Sequence, residues 1–264
     1  MPVVESTFTF DEFLYGASQP LPENHGKKYG RSSITGSEDF TGTESFEQAH
    51  HLALHGFPEG TKEMKKQMDL LGHAKANRLE PVFDVFGDEV EIGRFCSGDP
   101  ENMVTFENVL KDGQQFLDVY VAFSYSYHKE ARQIIKRGAI VLSNIDYLEN
   151  NGFRCRIVGY NHALCRKDRR AKTRMGVKHL VILKDYNEPL DIDRMAFALA
   201  CPSMLRRLAF RLTELLQPKQ TNKNYGASHE LLTSEERETA IDVTPFDWSE
   251  DEINAQFIKF SNPE

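Results

Sequence analysis

The alternation of apolar and polar positions is most regular between residues 111 and 218, and it predicts an α/β core there. Runs rich in β-branched and aromatic residues are typical of buried strands, and they lie at residues 116–123, 153–160 and 178–183. Helical periodicity follows the first run at residues 130–150 and the third run at residues 203–216. This order of strands and helices predicts an α/β sheet flanked by helices.

Residues 45–110 are predicted to form a subdomain of helices and strands that packs on this core. Ser45 and Gln48 have the spacing of a capping box, so a helix is expected to begin after Ser45 and to end at Gly56, just before a proline. A second helical pattern and an alternating, strand-like segment complete the subdomain.

Two less regular segments flank these regions. Residues 1–44 are rich in Gly, Ser, Thr and Pro around a short apolar patch, which indicates an N-terminal arm with limited regular structure. Residues 219–264 begin as a polar, turn-rich linker and continue as an acidic, aromatic tail. The last 35 residues hold ten acidic side chains against two basic ones, so they account for the whole formal charge of −8.

The rest of the chain is neutral, but its charge is unevenly distributed. Between residues 154 and 178 lies a segment that we call the basic strip, with one acid and nine basic residues: Arg154, Arg156, Arg166, Lys167, Arg169, Arg170, Lys172, Arg174 and Lys178. Phosphate groups respond to the local field, so this density of positive charge indicates contact with nucleic acid. The alternative interpretation is a solvated face or a solubilising loop.

Single-stranded DNA requires cations for its backbone and exposed aromatic rings for its bases. Tyr160 precedes the densest part of the basic strip and Tyr186 follows it. If the strands at residues 153–160 and 178–183 are neighbours, the loop between them projects from one end of the sheet. The sequence therefore predicts that the basic strip, together with Tyr160, binds single-stranded DNA.

The acidic tail combines negative charge with the only tryptophan of the chain. Acidic C-terminal tails with aromatic residues are common in bacterial and phage single-stranded-DNA-binding proteins, where they dock on partner enzymes. The candidate partner-binding residues are Phe246, Asp247, Trp248, Glu250, Asp251 and Glu252. The alternative is a terminal amphipathic segment that packs on its own core.

The sequence contains only weak signals for a metal site or for catalysis. Three potential metal ligands recur every four residues and would share one helix face: Glu47, His51 and His55. A row of polar side chains facing solvent would have the same spacing. Ser124 and Ser126 lie near a histidine, but no nucleophile elbow surrounds them. No glycine-rich phosphate loop is present either. We therefore expect a protein that is not an enzyme and has no cofactor.

The string Ala122-Phe123-Ser124-Tyr125-Ser126 follows a predicted strand, and the next predicted strand ends in Gly159-Tyr160. These features resemble a von Willebrand factor A-type domain, particularly the version in cobalt chelatase subunits. In that family a D-x-S-x-S motif organises a divalent metal ion. Here Ala122 stands in the aspartate position, so the resemblance implies a degenerate site that binds metal weakly or not at all.

A second resemblance rests on the strings TGTESFEQA at residues 41–49, GFPEG at residues 56–60 and SGDPENM at residues 97–103. They resemble motifs of a family of uncharacterised proteins encoded by tailed phages, and the resemblance spans roughly residues 30–210. It suggests one activity associated with phage proteins of this size. That activity is single-stranded-DNA binding by a transcription factor that recruits a heterodimeric phage RNA polymerase.

Four widely spaced cysteines without a C-x-x-C pair, and the lack of a signal-peptide pattern near Met1, predict reduced thiols in the host cytoplasm. No apolar run approaches the roughly 20 residues that span a bilayer, so no membrane partner is expected. The leading hypothesis is a phage single-stranded-DNA-binding protein that recruits a transcription or replication partner. The alternative is a non-enzymatic protein-interaction adaptor that uses a metal-degenerate von Willebrand factor A-like domain.

Overall fold

The computed structural model describes residues 3–71, 80–87, 89–107, 115–166, 174–221 and 225–261. The elements of the N-terminal part are β1 (Val3–Thr9), α1 (Phe10–Ser18), the single turns α2 (His25–Lys28), α3 (Ser32–Thr35) and α4 (Glu38–Thr41), α5 (Phe46–His55), α6 (Pro58–Leu71), β2 (Glu80–Asp84), β3 (Glu89–Val90), α7 (Ile92–Ser97) and β4 (Met103–Glu107). The elements of the C-terminal part are β5 (Gln115–Ala122), α8 (Ala131–Asn150), β6 (Phe153–Arg166), β7 (Arg174–Lys184), α9 (Ile192–Ala200), a π-helix (Met204–Ala209), α10 (Phe210–Leu216), a 3-10 turn (Pro218–Gln220), β8 (Ala227–Ser228), a second 3-10 turn (Glu236–Glu238), β9 (Ala240–Val243) and α11 (Glu250–Ser261).

A mixed sheet with the strand order β1-β7-β6-β5-β9 forms the centre of the molecule, and β8 pairs with the far end of β6. The strands β5, β6 and β9 are parallel, whereas β7 is antiparallel to β6 and β1 is parallel to β7. The helix α8 connects β5 to β6 as a parallel crossover requires. The predicted α/β class is confirmed, and the mostly parallel sheet flanked by helices is consistent with a von Willebrand factor A-like fold.

Most elements predicted in the core are present. The predicted strands correspond to β5, β6 and β7, of which β6 and β7 are longer than predicted and pair directly. Ser45 caps α5 as its spacing predicts, because its hydroxyl accepts the backbone N–H of Gln48 at 3.0 Å. Gly56 ends this helix at φ +99°, a conformation that glycine adopts without strain.

The N-terminal segment is more regular than the sequence predicts. The strand β1 pairs with β7 at the edge of the central sheet, and α1 buries its apolar side chains in the main core. The residues after α1 are held by three buried arginines. Arg206, Arg207 and Arg211 donate hydrogen bonds to backbone carbonyl oxygens between residues 19 and 43. The expectation of limited regular structure is therefore wrong for β1 and α1.

The C-terminal segment takes part in the core. The strand β9 lies beside β5 in the central sheet, and all four of its residues are buried. The helix α11 packs on α8 and buries Ile253 and Phe257. Of the two interpretations of the acidic tail, this packing favours an amphipathic segment that covers its own core.

A separate antiparallel sheet with the strand order β2-β4-β3 is closed at one end by α7. Arg94 connects the two parts, since its guanidinium lies 3.9 Å from the centroid of the Phe83 ring and 3.1 Å from a carboxylate oxygen of Asp99. Among the side chains that the structure describes between residues 83 and 105, Val104 alone is buried. Between these positions, the described side chains of the small sheet therefore contribute little buried surface.

Candidate nucleic-acid interface

The two faces of the central sheet differ in their environment. Odd-numbered residues of β5, such as Val119 and Val121, are fully buried beneath the helices. Even-numbered residues of β5 and β6 point to the opposite side, because side chains alternate along a strand. Several of them are half-buried or exposed, including Phe116, Arg154 and Arg156. We call this side, to which Lys178 of β7 also belongs, the open face.

An aromatic residue and an arginine are adjacent on the open face. Phe116 of β5 is paired with Arg154 of β6 in the parallel register, which places their Cβ atoms about 5 Å apart. The Phe116 ring is 61% exposed. Arg154 forms no hydrogen bond or ion pair within the described part of the chain, so its charge is available to a ligand.

The next register position carries a network that fixes a second aromatic ring. Asp118 accepts two hydrogen bonds from Arg156, at 2.7 and 2.8 Å, and a third from the Tyr186 hydroxyl at 2.6 Å. The Tyr186 ring lies edge-on to Phe116 with 5.2 Å between the ring centroids, and the Arg156 guanidinium lies 5.3 Å from the Tyr186 centroid. We call Phe116, Tyr186, Arg154, Arg156 and Asp118 the platform.

The electrostatics of the platform follow from this network. The Asp118 carboxylate raises the pKa of the Arg156 guanidinium, mainly through their hydrogen bonds. Partial burial, and then the hydrogen bond to Asp118, raise the pKa of Tyr186 to about 12, so this hydroxyl stays protonated at neutral pH. Arg156 is thus neutralised within the platform and holds the rings, while no described residue pairs with Arg154.

Two other residues of the predicted site are already engaged. Tyr160 is fully buried and donates a hydrogen bond to Asp242 at 2.8 Å, so it offers no surface for a base. Burial and the neighbouring Asp242 raise its pKa. Lys178 forms an ion pair with Glu5 of β1 at 2.9 Å.

Two further residues of the basic strip, Arg166 and Arg174, lie at the far end of the β6–β7 hairpin. Arg166 and Arg174 are the last backbone pair of that hairpin, which places them about 40 Å from Arg154 along the strand. The predicted contacts Lys167, Arg169, Arg170 and Lys172 lie outside the described residues. The described part of the basic strip therefore has two basic regions at opposite ends of β6 and the hairpin, Arg154 with Arg156 and Arg166 with Arg174.

The middle of the open face is covered by a segment that we call the crossing segment, residues 225–239. It is fixed to β6 by β8 and by the backbone carbonyl of Glu230, which bonds to the His162 ring at 2.8 Å. Arg237 anchors its other end by contacting Asp242 at 3.2 Å and Glu230 at 2.7 Å. Glu235 and Glu238 are exposed on this segment, so negative charge lies between the two basic regions.

The carboxyl ends of β5 and β9 form the edge where the resemblance places a metal site. The buried guanidinium of Arg137 gathers carbonyl oxygens there, with donor–acceptor distances of 2.7 Å to Ala122, 3.2 Å to Val243, 2.9 Å to Thr244 and 3.0 Å to Asp247. Ser124 is buried and its hydroxyl has no partner within the described residues, whereas Ser126 is exposed. These residues do not fit a divalent cation, because the aspartate is replaced by Ala122 and a positive charge is already present.

The candidate metal ligands of α5 are not arranged as a metal site within the described part of the chain. Glu47, His51 and His55 lie on the exposed side of α5, and the two imidazole rings are 4.4 Å apart. Within the described ranges, no group of three or more His, Cys, Asp or Glu side chains is placed to hold a metal ion.

The candidate partner-binding residues of the tail have mixed environments. Trp248 is half-buried between Tyr125, Lys129 and Arg137, and its indole N–H donates to the Pro245 carbonyl at 2.8 Å. Other members support the backbone: Asp247 accepts from the Thr244 N–H, and Glu252 accepts from the N–H groups that precede α11. The members that are free on the surface are Phe246, Glu250 and Asp251.

Sequence reasoning identified Arg154 and Arg156 but not their neighbours Phe116 and Asp118. These neighbours follow from the parallel register of β5 and β6, which aligns Phe116 with Arg154 and Asp118 with Arg156. A β-α-β unit predicts that these strands are neighbours but does not fix which residues pair. The register therefore had to come from the structure.

A family model described as a domain of unknown function, DUF7192, matches residues 9–259. The chain belongs to the DUF7192 family. The matched range begins at the last residue of β1 and ends within α11, so most of the N-terminal segment and most of the acidic C-terminal segment fall within the DUF7192 model. No curated protein and no solved structure matches the chain. Over the described ranges, none of the helices combines the length and the apolar character that a membrane span needs.

Proposed function

We propose that the chain binds single-stranded DNA through the platform on the open face, with help from the basic end of the β6–β7 hairpin. The observation that supports this most strongly is the pairing of Phe116 with Arg154. It places an exposed ring beside an arginine that has no hydrogen-bond or ion-pair partner among the described residues. A base can stack on the ring while the adjacent phosphate accepts hydrogen bonds from the guanidinium, and each stack contributes about 1–3 kcal/mol.

The platform favours single strands over duplex DNA. Bases in a duplex stack on one another and present only their edges, whereas a single strand can turn a base face toward a protein ring. Tyr186 and Arg156 are already held in place by Asp118, so little side-chain entropy is lost on binding. Stacking tolerates every base, and we therefore expect little sequence preference.

The distribution of charge suggests a path for the strand. A strand that contacts both Arg154 and the hairpin end must pass the crossing segment, about 40 Å of sheet lying between the two regions. Glu235 and Glu238 would then repel the phosphates near them. In this proposal the crossing segment, which is fixed to the sheet, limits affinity.

The biological role in this proposal is that of a non-enzymatic phage protein in the host cytoplasm. It would bring a transcription partner, such as a phage RNA polymerase, or a replication partner to single-stranded DNA. The resemblance of residues 41–49, 56–60 and 97–103 to tailed-phage proteins supports this role. An adaptor function is the second candidate, and the exposed apolar surface of the small sheet favours it.

The test is a fluorescence-anisotropy titration of a labelled single-stranded oligonucleotide of about 16 nucleotides, repeated at several salt concentrations with duplex as competitor. Reversing the free charge in Arg154→Glu should weaken binding and reduce the magnitude of the salt slope by about 0.7 or more. The matched control is Arg132→Glu, a charge reversal on exposed α8 at the opposite side of the sheet. Equal losses in both variants, or no binding by the natural chain at low salt, would contradict the proposal.

A further inference from the structure

The small sheet β2-β4-β3 and α7 expose an unusual number of large apolar side chains. Phe86 is 84% exposed, Ile92 is 73% exposed and Phe95 is 62% exposed, and the flanking Val85 and Val90 are about half exposed. We call these five residues the apolar patch. All of them lie within eleven consecutive positions, and a concentration of exposed large apolar side chains is typical of interaction sites.

The surroundings of the apolar patch are strongly acidic. Residues 80–107 contain eight acidic residues and one basic residue, Arg94, which is itself paired with Asp99. Among the acidic residues with described side chains, Asp84, Glu89 and Glu101 are exposed. Asp84 and Glu89 are the chain neighbours of Val85 and Val90, so negative charge flanks the apolar patch, and we call Asp84, Glu89 and Glu101 the acidic rim.

We propose that the apolar patch and its acidic rim bind a basic amphipathic helix of a partner protein. The apolar side chains would take the hydrophobic stripe of such a helix, and the acidic rim would meet lysine or arginine residues beside that stripe. The chain's own basic strip does not fit this description, because its densest part, residues 166–174, contains only one apolar residue, Ala171. In this proposal the main partner surface is the small sheet instead of the C-terminal tail, and binding of the helix does not depend on DNA binding.

The experiment measures binding of the full chain to a labelled helical peptide of about 18 residues, with leucines on one face and lysines elsewhere. The control peptide carries glutamates in place of the lysines. In the chain, Phe86→Ser combined with Ile92→Ser removes two anchors of the apolar patch. The matched control combines Tyr15→Ser with Ile258→Ser, which removes two exposed large side chains elsewhere.

We expect the lysine peptide to bind and the glutamate peptide not to bind. The patch variant should lose affinity by about tenfold or more, whereas the control variant should stay close to the natural chain. Both variants should keep the natural melting temperature, because the changed side chains are exposed. Equal binding of the lysine peptide to the patch variant would overturn the proposal. So would self-association of the natural chain that the patch variant abolishes, since a second copy would then cover the apolar patch.

Discussion

Truncation of the chain after Ser228 tests whether the acidic segment is a detachable tail or part of the core. The truncation removes β9 and α11, and with them the fully buried side chains of Ile241, Val243, Ile253 and Phe257. Burial of each side chain contributes about 1.5–3 kcal/mol, so the loss is about 6–12 kcal/mol before any hydrogen bond is counted. A whole domain is stable by only about 5–15 kcal/mol. We therefore expect the shortened chain not to fold.

The single substitution Phe257→Ala measures the same effect in the full chain. It should lower the free energy of unfolding by about 3–5 kcal/mol, because it empties a buried ring position between α11 and α8. Ile258→Ala is the matched control, since its neighbouring side chain is 58% exposed and should change stability by less than about 0.5 kcal/mol. Urea unfolding followed by circular dichroism compares the two. Equal stability of both variants, or cooperative unfolding of the truncated chain near the natural melting temperature, would refute the reasoning.

Three further predictions follow from buried and crossing residues. Arg137→Met leaves four carbonyl oxygens without their hydrogen-bond donor and should lower the free energy of unfolding, measured with urea, by about 3–5 kcal/mol. Arg132→Met, on the exposed side of α8, should leave that free energy almost unchanged. Burial lowers the pKa of His179 from 6.5 to about 4, so the unfolded chain binds a proton at this residue more readily than the folded chain does. The free energy of unfolding should therefore fall by about 3 kcal/mol as the pH drops from 6.5 to 4. The variant His179→Leu should lack this pH-dependent loss of stability. Glu235→Gln with Glu238→Gln should tighten single-stranded-DNA binding in anisotropy titrations at low salt, and unchanged affinity would mean that DNA does not approach the crossing segment.

The sequence predicts the local elements well because their signals are local. The β-branched run of β5, the periodicity of α8 and the capping pair at Ser45 each act within one element. The two edge strands were not predicted. The strand β1 pairs with β7 across more than 160 positions, and β9 has only four residues within an acidic segment. Such non-local pairing leaves no periodic trace in a short strand.

The candidate site was predicted in part for a similar reason. The number of basic residues along the sequence indicated Arg154 and Arg156. It could not show that these two residues lie at one end of β6 and Arg166 at the other end. Nor could it indicate that Tyr160 is buried and bonded to Asp242, or that Phe116 lies beside Arg154. These facts depend on strand register and on what covers each face, which are tertiary properties.

Photocrosslinking shows whether single-stranded DNA lies on the platform. An oligonucleotide that carries 5-iodouracil is irradiated with the full chain, and the crosslinked peptides are identified by mass spectrometry. We expect crosslinks at Phe116 and Tyr186, and their loss in Arg154→Glu but not in Arg132→Glu. Crosslinks confined to the helices on the covered side of the sheet, with none at Phe116 or Tyr186, would contradict the proposal.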